Sequence, residues 1–139
     1  MALPKKISWI ILALLIFCDG FLTHRAGMEG NPLWRPLIEK FGIDFLCVLG
    51  ICALVFFFVL AKIFGWLIEK FEHFSKGEDV ILTNLVIAFS AYDFYITFLV
   101  QRFGYLGSRS HYPVMFFIAI PVLIYNLWLE KRKRKEKII

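Results

Sequence analysis

The chain of 139 residues has little of what enzymes in water use. It holds no H-E-x-x-H, no G-x-S-x-G and no glycine-rich phosphate loop, which excludes the common short patterns for a catalytic metal, a serine nucleophile or a triphosphate. Cysteine is scarce: Cys18, Cys47 and Cys52 all fall in apolar runs, and the C-x4-C spacing of the last two is neither a redox nor a zinc spacing. They are read as small apolar packing residues. No small-x-small cleavage site follows the apolar run after Lys5 and Lys6, and the bulky Phe17 before Cys18 does not suit a lipoprotein site. The first apolar run is therefore expected to stay in the mature protein.

What the chain does have is apolar length. Hydrophobic residues make up 60%, against about 45–50% in ordinary soluble domains, and phenylalanine alone contributes 16. The mean hydropathy is +0.71. These residues fall in long runs rather than amphipathic stripes, which is the pattern of membrane spans. The expected fold is all-α: an integral membrane four-helix bundle of two helical hairpins, forming a single domain over 1–139. Its spans are expected at about 7–23, 43–70, 80–102 and 113–129, with a charged, mobile basic tail at 130–139.

Between the first two spans, Asn31 and Pro32 suit a helix start. Leu33 to Phe41 then forms either a short interfacial helix with Trp34 at headgroup depth or the first turns of the second span. The second span has no charge from Phe45 to Ala61, and Lys62 can snorkel. Beyond it, Phe64, Leu67, Phe71 and Phe74 recur at helical spacing, so the helix is expected to run on as an amphipathic extension. Gly77 is expected to end it, with Glu72 and Lys76 as an i,i+4 pair, and Glu78 and Asp79 to open the next helix. Gly50 and Gly65 permit close helix approach. Pro113 opens the fourth span, Pro121 is expected to kink it, and Asn126 and Trp128 mark its far interface.

The net charge of +5 and pI of about 9.2 do not point to nucleic acid, because the basic residues sit at the ends of apolar runs. With both termini on one side, that side carries eleven Lys and Arg residues and the other five. The orientation read from this bias is N-in and C-in, in a cell membrane, multi-pass, with both termini cytoplasmic. The expected partners are the lipid bilayer, anionic lipids at the basic tail, and further copies of the chain in a homo-oligomer.

The polar residues inside the spans are the functional candidates. Asp19 lies about 12 residues into the first span and Asp93 about 13 into the third, so at roughly 1.5 Å per residue they reach similar depth in the outer half of the bilayer. A carboxylate in an apolar helix costs roughly 2.5–3.5 kcal/mol on insertion scales. Each acid has a threonine four residues on, Thr23 and Thr97, which hints at two hairpins related by a pseudo-twofold axis. Ser90, Asp93, Thr97 and Gln101 share one face of an ideal helix.

Two facing carboxylates in low dielectric cannot both stay ionised without a counter-charge. Three arrangements satisfy them. They can hold a cation, with Thr23, Thr97, Glu29 and Asn31 as further oxygen donors; Asp19 and Asp93 are then the metal-ligating candidates, and a bound cation is the only cofactor implied. They can share a proton. Or they can pair with Arg25, Arg102 or His24 and only lock the bundle. The leading functional expectation is a transporter-like or channel-like site that binds or conducts a cation or proton. The alternative is a structural or accessory membrane subunit. The third is an intramembrane enzyme or lipid-binding protein, which needs an outer cavity reaching Asp19 and Glu29. No catalytic residues are assigned.

The run Asp19-x3-Thr23 followed by Glu29-x-Asn31-Pro32-Leu33 resembles a family of small prokaryotic membrane proteins, a domain of unknown function. Its members are similar in having about four predicted spans, a first helix ending in D-x3-T, and an E-x-N-P element after it. The resemblance implies an integral membrane protein and picks out Asp19, Thr23, Glu29, Asn31 and Pro32. It implies no particular activity.

Overall fold

The computed structural model describes residues 2–26, 34–72, 76–100 and 112–136. Helix α1 spans Lys5–Ala26 and the short helix α2 Arg35–Phe41; after a 3-10 turn at Ile43–Phe45, α3 spans Leu46–Glu72. Helix α4 spans Gly77–Phe94 and continues as a π-helical stretch, Tyr95–Val100. Helix α5 spans Tyr112–Glu136. There is no strand among the described residues. Four helices are long and apolar enough to cross a membrane, over Lys5–Arg25, Ile43–Glu72, Gly77–Thr97 and Val114–Arg132. The chain is a multi-pass helical membrane protein, and the all-α bundle read from hydropathy is the architecture found.

Local chemistry sets the boundaries, and several differ from the sequence reading. The segment before α3 is a helix of its own. Pro36 sits in the first turn of α2, and Gly42, at φ 88°, turns the chain out of helical geometry before α3 begins. The expected start at Asn31 and Pro32 lies outside the described residues, as do His73 and Phe74. Gly77 opens α4 rather than closing α3, and Lys76 is its N-cap residue. Glu72 and Lys76 therefore do not share a helix. At the other end of the chain, α5 passes through Pro121 and on to Glu136, so most of the expected mobile tail is helical. The tail's Glu, Lys and Arg residues are good helix formers with no breaker among them.

The turn between α3 and α4 is exceptionally close. A Cβ on Gly65 would lie 2.8 Å from the Cα of Glu78, and one on Gly77 would collide with the carbonyl of Gly65. Glu69 closes the turn: its Oε1 accepts the Gly77 N–H at 3.2 Å, satisfying one of the donors left open at the start of α4. Two glycines thus let the α3 and α4 backbones touch, as expected for Gly65 but not for Gly77.

Helix α4 is the centre of the bundle. It packs on α1, α3 and α5, while α1 also packs on α3. Leu12 and Ile16 of α1 meet Val86 of α4 in the core, with Leu54 and Phe57 of α3 and Phe89 of α4 around them. A twofold relating two hairpins would seat α5 on α1 as α3 sits on α4. Instead α5 makes its extensive contact with α4, helped by Phe117 stacking near Phe94 and Tyr95. Among the described residues the packing does not carry the pseudo-twofold suggested by the paired D-x3-T motifs. Outward faces are apolar: Phe21, Phe58 and Phe116 are exposed, as a surface in hydrocarbon requires. The three cysteines are free and face outward too, not into the packing.

The Gly65–Gly77 contact is open to test. Gly77→Ala should lower the thermal midpoint in detergent, by an overpacking cost of about 1–3 kcal/mol. Gly20→Ala, where an added Cβ meets nothing within 4 Å, should leave it close to wild type.

Candidate functional site

Polar side chains spaced along α4 point to different sides of it, and each of the other long helices meets one of them. At its first turn, Glu78 accepts hydrogen bonds from Lys5 Nζ at 2.8 Å and from Lys62 Nζ at 3.0 Å. One carboxylate thereby clips α1 and α3 to α4. One turn on, Thr83 is only 4% exposed. Its hydroxyl donates to the carbonyl of Asp79 at 2.7 Å and accepts the Leu3 N–H at 2.9 Å, which fastens the segment ahead of α1 to α4.

Next comes a pair of amides. Asn84 Nδ2 donates to Asn126 Oδ1 at 3.2 Å, and Asn126 Nδ2 donates back to Asn84 Oδ1 at 3.0 Å. Asn126 Nδ2 also lies 2.8 Å from the carbonyl of Val122. Asn126 is thus a partner of α4. The signal for this was present: the two asparagines stand at equal depth in neighbouring antiparallel spans.

Towards the far end of α4 lies Asp93. It is half-buried, and its Oδ1 is buried with no hydrogen-bond partner among the described residues. The charge of Asp19, across on α1, acts on it. The two acids singled out from the sequence are therefore within electrostatic reach of each other. Immediately after Asp93 the helix widens from α to π geometry, a change that recurs at functional sites.

Beside Asp19 is a cavity of about 650 Å³ between α1, α3 and α4. Its walls include Asp19, Gly20, Trp34, Phe57, Phe89 and Tyr92. Phe57 and Phe89 meet edge to face with ring centroids 5.3 Å apart. The cavity lies at the opposite end of the α3–α4 hairpin from the Gly65–Gly77 contact.

The other sequence candidates are scattered. Thr23 is partly buried, and Arg25, Ser90 and Thr97 are exposed. Thr97 falls in the π-helical stretch, where a spacing of four residues no longer stacks side chains as it does on an α-helix. His24 Nε2 lies 3.1 Å from Asp44 Oδ1, so this imidazole is engaged at the start of α3. Glu29, Asn31, Pro32, Gln101 and Arg102 lie outside the described residues. Among the described residues no group of three or more His, Cys, Asp or Glu side chains is placed to hold a metal ion. The sequence reading missed the Glu78 clip, the Thr83 bridge and the amide pair.

No family model, curated protein or solved structure matches the chain. The resemblance to the D-x3-T and E-x-N-P proteins therefore rests on the residues quoted for it.

The amide pair should behave as a coupled unit. Asn126→Leu strands the Asn84 amide in an apolar bundle and should destabilise by roughly 0.6–2 kcal/mol. Adding Asn84→Leu should recover part of that loss, because neither amide is then left unpaired. A double-mutant cycle of thermal unfolding in detergent measures the coupling.

Proposed function

We propose that this membrane protein binds or conducts a cation or proton at an intramembrane site formed by Asp19 and Asp93. The observation that carries the reading is the buried Oδ1 of Asp93, which has no hydrogen-bond partner among the described residues and faces the field of a second carboxylate. Two carboxylates in low dielectric share one negative charge comfortably and two only with a counter-ion. A proton or cation entering from the outer side relieves that repulsion, and its departure restores it. The π-helical stretch next to Asp93 supplies backbone of altered geometry at the same level.

A purely structural role for ion pairs is met elsewhere in the molecule. Lys5 and Lys62 serve Glu78, Arg35 serves Glu39 at 2.8 Å, and His24 serves Asp44. In the proposed orientation both termini are cytoplasmic, which puts the Lys5–Glu78–Lys62 cluster at the inner end and the acid pair in the outer half. The basic end of α5 then lies where anionic lipid headgroups are, and self-association in the bilayer fits the largely apolar outer surface.

Proteoliposomes with a trapped pH- or cation-sensitive dye test the site. The wild-type protein should give a gradient-driven signal, and Asp19→Asn with Asp93→Asn should reduce it to the level of empty vesicles. A signal unchanged in the double variant rules the acid pair out as the site.

A further inference from the structure

The cavity between α1, α3 and α4 holds about 650 Å³, within the roughly 300–1,000 Å³ of ligand pockets. Packed interiors hold few voids larger than a water molecule, so a space of this size calls for an occupant. Apart from Trp34, every described residue lining it falls in one of the four membrane-crossing stretches. The walls are chiefly Ile16, Leu49, Ala53, Phe57, Phe89 and Ile118. Two polar residues on the wall, Asp19 and Tyr92, each already have an interaction within the chain, so neither asks for a polar guest. The cavity has a floor and a rim. Ile16 and Leu49 on the floor are each 7% exposed, whereas Cys52 and Phe56, one turn apart on α3, are exposed. On a spanning helix an exposed apolar edge faces hydrocarbon, so the cavity opens sideways into the bilayer.

We propose that this cavity is a binding site for an acyl chain of a bilayer phospholipid, drawn from the leaflet at the end of the bundle opposite the Gly65–Gly77 contact. The site is separate in kind from the acid pair and stands whether or not that pair passes an ion. An empty apolar void leaves its lining atoms without partners on one side and forfeits their dispersion contacts. Water does not restore them, because a buried water needs about two to four polar partners. A methylene chain does. It bends to follow an uneven wall, such as the edge-to-face rings of Phe57 and Phe89. The bilayer also supplies it at a local concentration that no dissolved molecule reaches, and mass action then favours occupancy. Trp34 lies outside the spanning stretches and sets the direction of the chain. Tryptophan is enriched at headgroup depth, so the glycerol end lies towards Trp34 and the methyl end towards the middle of the bundle.

Two positions allow the space to be taken away without touching either acid. A Cβ on Gly20 would meet nothing within 4 Å, so Gly20→Leu grows into open space. Ala53 lines the wall from α3, and Ala53→Phe fills it from that side.

The test uses the full chain in phosphatidylcholine nanodiscs that contain some phosphatidylcholine with a photoreactive diazirine on an acyl chain. After illumination, mass spectrometry locates the adducts. The wild-type protein should carry them at Ile16 or Leu49 on the floor, as well as at outward residues such as Phe116 and Ile124. The same phospholipid with the diazirine on its headgroup should leave the floor unlabelled. Gly20→Leu and Ala53→Phe should each lose the floor adducts and keep those at Phe116 and Ile124. Thermal melts show which variants are folded, and either one suffices. The wild-type map decides the matter even if neither folds, because lipid surrounding the bundle does not reach the floor. Wild-type adducts confined to outward residues overturn the proposal. So do floor adducts that survive filling in a folded variant, or equal labelling of the floor by the headgroup probe.

Discussion

In hydrocarbon there is no water to complete a hydrogen bond, so each polar group carried into the bilayer must find its partner on another helix or on its own backbone. Helix α4 carries most of these groups, and they dictate what packs around it. Glu78 draws in Lys5 and Lys62, Thr83 takes the Leu3 N–H, and Asn84 takes Asn126. The apolar contacts of Leu12, Ile16 and Val86 fill the space between, but lipid tails offer similar contacts to the same side chains. The polar rungs set helix order and register. Asp93 has a buried carboxylate oxygen not met by a hydrogen bond within the described residues.

Packing density varies along the same helix. At the Gly65–Gly77 end the backbones of α3 and α4 touch, and nothing larger than glycine fits at the contact. Towards the other end, large side chains such as Phe57 and Phe89 hold the helices apart, and the break at Gly42 brings Trp34 over the gap. The cavity is the result. Its position places Asp19 on the wall of a largely apolar chamber.

The four spans were legible because hydropathy reports directly on burial in lipid. Asp19 and Asp93 were legible as candidates because a carboxylate in such a run is rare. Which helix faces which was less legible, since an apolar residue facing lipid and one facing a neighbour look alike in sequence. The paired D-x3-T motifs suggested a twofold, but among the described residues α5 does not pack on α1 as α3 packs on α4. Thr97 looked aligned with Asp93 on an ideal helix and is not, because the turn between them widens to π geometry. The Asn84–Asn126 pair needed only a comparison of depths in adjacent antiparallel spans. The Glu78 clip was hidden because an acid in a first helical turn already has a sufficient explanation in the helix dipole.

The proposed site depends most on α1 and α4 bringing Asp19 and Asp93 together inside the membrane. Intramolecular thiol cross-linking measures this directly. In a background of Cys18→Ala, Cys47→Ala and Cys52→Ala, the combination Asp19→Cys with Asp93→Cys is treated in membranes with a short bifunctional thiol reagent. Mass spectrometry of the digested chain should find the two peptides joined within one molecule. Recovery of the two peptides each modified separately, with no joined product, would contradict the central claim.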